Sequence, residues 1–266
     1  GHLLAMNPGT IEKEIEGIHT KEPTFGLPAV WILTSEKQRA QMAGYTVVDP
    51  STVITTHIKE TIKRHASELL GRQETQALID KFKESNPKVI EELIPDVLSL
   101  GKVQKVLQNL LKEKVSIRDL RTILEQLADY GPSTKDTDIL TEYVRQAMAR
   151  PITKQFQSAD GSLSVMTLDR QVEELIHNSI QKTELNSFLS LEPTVAEKLL
   201  IKLQEAVEII NPTLESSPVL LASPGIRHHL KKFVERFLPD LAVLSHNEII
   251  PSVQIKTLRV VDLNAN

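Results

Sequence analysis

Short apolar runs separated by turn residues dominate the first part of the chain. Residues 29–33 and residues 45–48 are apolar and rich in β-branched or aromatic side chains, a pattern that predicts two strands. Between them, residues 35–38 (SEKQ) match a capping box, which predicts a short helix that ends near Gly44. We therefore expect a small mixed α/β lobe over residues 1–49.

From Pro50 to about residue 150, apolar side chains recur at helical spacing. In chain order, the predicted apolar faces are Ile54, Ile58, Ile62, Ala66 and Leu69, then Val103, Val106, Leu107, Leu110 and Leu111, then Ile117, Leu120, Leu124, Leu127 and Ala128, then Leu140, Tyr143, Val144, Ala147 and Met148. Ser116, together with Asp119, predicts an N-terminal cap. Because the links are short, we expect antiparallel neighbours in a central helical subdomain.

Strands alternate with helices after Pro151. Residues 152–157 and 162–166 flank Asp160-Gly161, which predicts a β-hairpin. Further strands are predicted at 219–221, 241–244 and 253–261, and further helices at 168–176, 195–210 and 226–237. The alternation predicts a C-terminal α/β subdomain. The fold class predicted for the whole chain is therefore α+β with several subdomains.

The composition narrows the possible classes of function. Basic residues number 31 and acidic residues 35, the net charge is -4, and aromatic residues make up only 4%. Such a balanced chain with few aromatic residues is not typical of proteins that bind nucleic acid or an anionic membrane surface. The chain has no cysteine, which excludes disulfides, thiolate catalysis and cysteine-ligated zinc.

The sequence contains no obvious membrane-spanning or secretory segment. No stretch approaches the roughly 20 consecutive apolar residues that a membrane-spanning helix needs. No signal peptide is recognisable either. Residues 1–8 begin abruptly in an apolar run, from which we expect further chain before Gly1.

Candidate catalytic and metal-binding residues are few. His57 and His65 are eight positions apart, whereas a metal-binding pair on one helix is usually spaced by three or four. His229 falls on the apolar face of its predicted helix, so packing explains it. Gly-rich phosphate loops and the Gly-x-Ser-x-Gly motif are absent. We predict no enzyme, cofactor or metal, and keep a hydrolase that uses His57 or His65 as the weakest hypothesis.

The segment from Glu22 to Leu27 places an aromatic side chain between two residues that bend the chain. Pro23 and Gly26 fix a turn around Phe25. A phenylalanine held in this way either fills the local core or presents an apolar patch to a partner. The spacing alone favours the core.

Seven stretches of the sequence resemble the FlhA family of type III secretion export gates, and the last of them looks flagellar rather than virulence-type. They span nearly the whole chain in the family's order. They are residues 5–9 (AMNPG), 25–32 (FGLPAVWI), 44–53 (GYTVVDPSTV), 70–74 (LGRQE), 101–111 (GKVQKVLQNLL), 115–125 (VSIRDLRTILE) and 243–249 (VLSHNEI).

The resemblance implies the cytoplasmic part of a membrane protein whose spanning domain lies outside this chain, at the inner membrane of a bacterium. By resemblance, residues 1–49 form an inserted second subdomain, 50–69 the end of the first, 70–149 the helical third and 150–266 the fourth. The family assembles into a nonameric ring. It receives export chaperones carrying late flagellar substrates and meets components of the export ATPase complex.

The resemblance also implies a chaperone-binding site at an apolar dimple. The family's Asp-Pro-x-Phe-Gly-Leu stretch maps its acidic residue and its phenylalanine onto Glu22 and Phe25, and the helix that follows supplies Thr56. Glu22 departs from the family's aspartate but keeps the charge. With the resemblance included, a binding role for Phe25 is favoured over a core role, with the aromatic side chain as an anchor.

Two further alternatives remain open at this stage. The chain could be a purely structural ring subunit in which Phe25 belongs to the core, or a homologous virulence export gate. Hinges between lobes are a separate hypothesis, at the break over residues 130–133 and at Arg150-Pro151.

Overall fold

The computed structural model describes residues 1–9, 11, 13–183, 187–210 and 217–263. The chain divides into two compact units, Gly1–Leu69 and Leu70–Asn266. The pattern of apolar residues predicts no element over residues 185–193, of which 185 and 186 lie outside the described residues.

The first unit is built on a four-stranded antiparallel sheet in the order β2-β3-β1-β4. Its elements are β1 (His2–Met6), β2 (Ile18–Lys21), β3 (Pro28–Leu33), α1 (Lys37–Met42), β4 (Thr46–Val48), α2 (Pro50–Arg64) and α3 (Ala66–Leu69). The strands predicted at residues 29–33 and 45–48 are confirmed as β3 and β4, and the helix after Pro50 as α2.

Side chains of this sheet alternate between two apolar clusters, as the two-residue period of a strand requires. Ala5 and Val30 pack on one face, in a cluster with Ala40 of α1. Leu4 and Ala29 pack on the other face, with Val53 of α2. The sheet therefore separates α1 from α2.

The capping box predicted over residues 35–38 is wrong. A 3-10 turn, Thr34–Glu36, precedes α1, and no side chain caps either element. The short helix itself is confirmed, because α1 ends at Met42 and Gly44 follows with a φ of 90°.

The second unit begins with six α-helices, with a π-helical segment, Leu93–Val97, between the second and the third. They are α4 (Arg72–Ser85), α5 (Pro87–Glu92), α6 (Leu100–Lys112), α7 (Leu120–Tyr130), α8 (Thr137–Ala147) and α9 (Ala149–Phe156). The cap predicted at Ser116 belongs instead to Asp119, whose Oδ1 accepts a hydrogen bond from the Thr122 amide at 3.1 Å. The predicted apolar faces of α6, α7 and α8 supply buried residues to one core.

A parallel sheet in the order β10-β5-β8-β9 follows these helices. The elements are β5 (Leu163–Leu168), α10 (Arg170–Asn178), β6 (Ile180–Lys182), β7 (Ser187–Leu189), α11 (Pro193–Ile210), β8 (Val219–Ala222), α12 (Arg227–Val234), β9 (Ala242–Ser245) and β10 (Ile255–Val261). Strands β6 and β7 form a separate antiparallel pair. The predicted α/β subdomain and the α+β class of the chain are confirmed.

The hairpin predicted around Asp160-Gly161 is wrong. Residues 152–156 are the end of α9, and β5 pairs with β10 and β8 rather than with a hairpin partner. Asp160 and Gly161 form the turn that joins α9 to β5. Gly161 has a φ of 81°, and Asp160 Oδ1 accepts a hydrogen bond from the Ser162 amide at 2.9 Å.

Both faces of the parallel sheet are buried, which is typical of parallel sheets. Leu163 and Val219 point into the core formed by the helices α4–α9. Met166 and Leu220 point to the opposite face, into a core with α10, α11 and α12. The helices α4–α9 therefore share one core with one face of the sheet, and α10, α11 and α12 share a second core with its other face.

Candidate functional site

The segment 22–27, which we call the 22–27 loop, connects β2 to β3. Lys21 and Pro28 are paired at the ends of the two strands, so the loop closes a hairpin. The Glu22 amide donates to the carbonyl oxygen of Leu27 at 2.8 Å, and the Gly26 amide donates to that of Glu22 at 2.9 Å. Gly26 has a φ of 72°, which other residues rarely adopt. The loop is therefore a closed turn.

The carboxylate of Glu22 is folded back into this loop. Its Oε1 accepts a hydrogen bond from the Thr24 amide at 2.9 Å, and its Oε2 accepts one from the Phe25 amide at 2.6 Å. We call this pair of hydrogen bonds the Glu22 clamp. The residue is only 3% exposed. Burial acts to raise the pKa of Glu22, but the hydrogen bonds from Phe25 and Thr24 outweigh it and hold the pKa below its ordinary value.

Phe25 projects from the top of the loop into solvent. Its side chain is 65% exposed, so it does not fill the local core, and the core interpretation drawn from its spacing is wrong. Leu27, on the other side of Gly26, is also exposed. The loop thus presents two apolar side chains on a backbone fixed by its own hydrogen bonds.

Helix α2 supplies the third predicted site residue. Asp49 caps its N-terminus, where Oδ1 accepts from the Thr52 amide at 2.8 Å, and Pro50 occupies the first turn. Thr56 is half-buried in the second turn of the helix. The next residue, His57, lies near enough to Glu22 to help lower its pKa. The second turn of α2 therefore lies near the 22–27 loop.

The apolar residues of α2 are mostly uncovered. Ile54, Ile58 and Ile62, which we call the exposed stripe, are each more than half exposed, whereas Val53 is buried against the sheet. The helical spacing of the stripe predicted the helix correctly. Apolar residues in such a row are typical of an interface.

The histidines form no metal site among the described residues, in which no group of three or more metal-ligating side chains occurs. His57 and His65 are exposed on α2 and just after it. His229 is buried on α12, as predicted, with Nε2 at 3.4 Å from Ser187 Oγ. Its neighbour His228 is partly buried, and burial followed by the charge of His229 lowers the pKa of His228 to about 4.

Sequence reasoning missed a buried cluster of charges in the second unit, which we call the ion cluster. It consists of Glu113, Glu142, Arg145, Arg227 and Glu248. Arg227 Nη1 lies 2.6 Å from Glu113 Oε2, and Arg227 Nε lies 2.7 Å from Glu142 Oε2. Arg145 pairs with Glu248 through Nε and with Glu113 through Nη1, at 3.1 Å for the latter.

The ion cluster joins helices to sheet. Glu113 follows α6, Glu142 and Arg145 lie on α8, Arg227 opens α12 and Glu248 follows β9. Burial acts to raise the pKa of Glu113, but Arg145 and Arg227 bring it down to about 2. For Glu142, burial prevails over Arg227 and the pKa is raised. In sequence these residues look like ordinary solvated helix charges, so no local signal distinguishes them.

A polar cleft of about 270 Å³ lies beside the ion cluster. Glu113, Glu142 and Arg227 line it together with Asp138 and Lys232, which pair with each other at 2.5 Å. Each of these five charged side chains therefore has an ion-pair partner within the set.

In the part of the chain that the structure describes, no helix is long and apolar enough to cross a membrane.

Known proteins match this chain along nearly its whole length. A model of the family described as FHIPEP matches residues 1–254. The flagellar biosynthesis protein FlhA of Bacillus subtilis is 50% identical over 262 residues, which are 98% of this chain and 39% of that protein. FlhA of Escherichia coli is 43% identical over 256 residues, 96% of this chain and 36% of that protein. The chain therefore spans less than two fifths of the length of these relatives.

Solved structures match the fold as well. The CdsV protein of Chlamydia pneumoniae has a TM-score of 0.87 and 31% identity, covering 98% of this chain and 75% of that one. The nonameric EscV cytosolic domain from the type III secretion system has a TM-score of 0.76 and 31% identity, with 99% and 78% covered. A complex of Chlamydia pneumoniae CdsV and CdsO has a TM-score of 0.78 and 32% identity, with 88% and 68% covered.

These matches confirm the family resemblance that the sequence stretches indicated. The family model covers far more than half of the chain, and the sequence identity extends over nearly all of it. The chain belongs to the FHIPEP family, the family of the flagellar biosynthesis protein FlhA.

Proposed function

We propose that this chain is a cytoplasmic docking platform of the flagellar type III protein export gate. It binds export chaperones loaded with late substrates and orders their delivery to the export channel. The observation that carries the proposal is the exposed Phe25 on the hydrogen-bonded 22–27 loop. An exposed aromatic side chain on a rigid loop is suited to anchor a partner in a groove.

Three residues form the proposed docking site, which are Glu22, Phe25 and Thr56. Phe25 and Leu27 supply exposed apolar surface, and Thr56 lies on α2, whose neighbouring residue His57 lies near Glu22. A helical chaperone that lays an apolar face on this surface matches a known mode of peptide recognition. The flagellar assignment is supported by 50% identity to FlhA of Bacillus subtilis, against 31% to CdsV.

The family context supports two further partners. EscV assembles as a nonamer, and we propose that the protein containing this chain likewise forms a homo-oligomeric ring. CdsV forms a complex with CdsO, and we propose that this chain likewise meets a component of the export ATPase complex.

We propose that the chain acts at the cytoplasmic face of the bacterial inner membrane and catalyses no reaction. Membrane attachment would come from a domain outside this chain, since the relatives are more than twice as long. Docking needs shape and apolar surface rather than convergent acids, bases or nucleophiles.

The test is a calorimetric titration with a flagellar export chaperone bound to its late substrate, both from the bacterium that carries this chain. Phe25→Ala should weaken binding about thirtyfold, the scale of a hot-spot residue. Circular dichroism melting should show an unfolding free energy within about 0.5 kcal/mol of the wild type. Truncation of a core phenylalanine would instead cost about 3–5 kcal/mol.

Phe237→Ala is the matched control, because Phe237 is 63% exposed and lies in the second unit. It should bind the chaperone complex as the wild type does. Equal binding by wild type and Phe25→Ala would refute the proposed site. It would leave the purely structural ring subunit as the better account.

A further inference from the structure

The carboxylate of Glu22 points into the 22–27 loop, whereas a residue that contacts a partner would direct it toward solvent. Both of its carboxylate oxygens are engaged inside the 22–27 loop, Oε1 by the Thr24 amide and Oε2 by the Phe25 amide. With 3% of the residue exposed, the charge is turned inward. An ionic contact with a docking protein would require at least one oxygen at the surface.

We propose that Glu22 is a positioning residue, which fixes the backbone at Phe25 so that the aromatic ring is presented to the docking partner. The inference rests on the proposed function, in which Phe25 is the anchor. The Glu22 clamp would then contribute to affinity without contacting the partner.

The physical basis is preorganisation. A large side chain on an unconstrained loop must lose conformational freedom when it binds, and that loss weakens the complex. Here the amides of Thr24 and Phe25 are held by the carboxylate, and the Gly26 amide is held by the Glu22 carbonyl. The backbone of the loop is therefore ordered before any partner arrives.

The hydrogen bonds to the carboxylate are charge-assisted, which makes them stronger than bonds to a neutral acceptor. A glutamine at this position has only one acceptor oxygen and cannot hold both amides in the same way. An aspartate keeps two acceptor oxygens on a shorter side chain. Glu22→Asp should therefore retain more affinity than Glu22→Gln, and Glu22→Ala should retain least.

The experiment measures the affinity of this chain for the chaperone–substrate complex in a double-mutant cycle. The variants are Glu22→Ala, Phe25→Ala and the double variant, with affinities measured at low and at high salt. Glu16→Ala is the matched control, because Glu16 is exposed in the same unit and its loss changes the net charge equally. Amide hydrogen exchange at Thr24 and Phe25 is followed in the free proteins.

For a positioning residue we expect Glu22→Ala to weaken binding about tenfold, the scale of one ordered side chain. The salt dependence of the affinity should match that of Glu16→Ala, and the loss should disappear in the Phe25→Ala background, because nothing remains to be positioned. In the free protein, exchange at Thr24 and Phe25 should quicken while the melting temperature changes little.

Two results would overturn the positioning role. One is a loss of affinity on Glu22→Ala that persists without Phe25 or that reduces the salt dependence, since either indicates direct ionic contact. The other is unchanged amide exchange at Thr24 and Phe25. A wild-type chain that fails to bind refutes the proposed function instead, and the exchange experiment still decides whether the Glu22 clamp orders the loop.

Discussion

Gly26 is the residue on which the shape of the 22–27 loop depends most directly. Its φ of 72° lies in the left-handed region, and a Cβ added there would meet nothing within 4 Å. Gly26→Ala therefore tests backbone strain alone, without a steric clash. We expect the free energy of unfolding to fall by about 1–2 kcal/mol, measured by chemical denaturation.

Gly225→Ala is the control for this substitution. A Cβ at Gly225 would make only ordinary contact with His177, at 3.7 Å, and its φ lies outside the left-handed region. Its unfolding free energy should stay within about 0.5 kcal/mol of the wild type. Equal stability of Gly26→Ala and Gly225→Ala would show that the loop relaxes freely, contrary to the geometry described above.

The pH dependence of the first unit should report the Glu22 clamp. The pKa of Glu22 in the folded protein is held below its ordinary value of 4.5. The ionised carboxylate therefore stabilises the fold above pH 4.5, and this contribution is lost as the pH falls through the lowered folded-state pKa. We expect Glu22→Gln to remove that part of the acid destabilisation, measured by denaturation at neutral and acid pH. An unchanged acid profile in this variant would contradict the prediction.

At the scale of elements, α2 has one buried and one exposed apolar set. Val53 packs against Leu4 and Ala29 of the sheet, whereas Ile58 is about half exposed. Val53→Ala should lower the free energy of unfolding by about 2 kcal/mol. Ile58→Ala should change it by no more than about 0.5 kcal/mol, in the same denaturation experiment. A large loss on Ile58→Ala would mean that the exposed stripe is covered in the free chain.

The sequence predicted the strands that have a continuous apolar run and the helices whose apolar residues recur at helical spacing over several turns. It did not predict the turns that connect them. Strands β8 and β9 are buried on both faces, so their apolar runs were distinctive. The Asp160-Gly161 turn was misassigned because the same two residues suit a hairpin and a helix-to-strand turn equally. Ile152 and Phe156 of α9 are four residues apart, as on one face of a helix. One helical turn is too short a segment for this spacing to distinguish a helix from a strand.

The candidate site was only partly visible in the sequence. Pro23 and Gly26 marked an unusual setting for Phe25, but spacing could not tell an exposed ring from a buried one, and it favoured the wrong answer. The inward turn of the Glu22 carboxylate depends on two backbone amides, and no residue pattern encodes their position. The ion cluster unites residues as far apart as Glu113 and Glu248, so only the tertiary structure brings it together.

At the scale of the whole molecule, the ion cluster ties the helices of the second unit to its parallel sheet. Removing Arg227 would take away the salt bridge of Glu142 and leave Glu113 with Arg145 alone, in a largely buried setting. We therefore expect Arg227→Ala to lower the free energy of unfolding by about 3–5 kcal/mol, measured by chemical denaturation.

Arg170→Ala provides the comparison, because Arg170 pairs with Glu174 at the surface, where salt bridges contribute little. Its unfolding curve should nearly superimpose on that of the wild type. If Arg227→Ala were equally mild, the ion cluster would have to be hydrated or rearranged in solution, and its stabilising role would be refuted.

The two hinge positions that the sequence suggested both lie in packed parts of this unit. Pro151 lies within the first turns of α9, and the core of the helices continues into the sheet beyond it. At the other suggested hinge, Tyr130 stacks on Tyr143 with ring centres 4.0 Å apart. A Cβ on Gly131 would approach Val97 within 2.5 Å, so this break is tightly packed. Both positions are therefore well packed in this structure, and movement about them stays a prediction.

The five charges of the ion cluster also constrain how the protein can diverge. A lineage that replaced Arg227 by a neutral residue would leave Glu142 without its salt bridge and Glu113 with Arg145 alone, and selection against the unstable product would be strong. A series of substitutions that keeps the protein stable must replace the arginines and the glutamates together, for example by apolar side chains of similar volume. Among descendants of one ancestral gene, these five positions should therefore be inherited as a set or lost as a set.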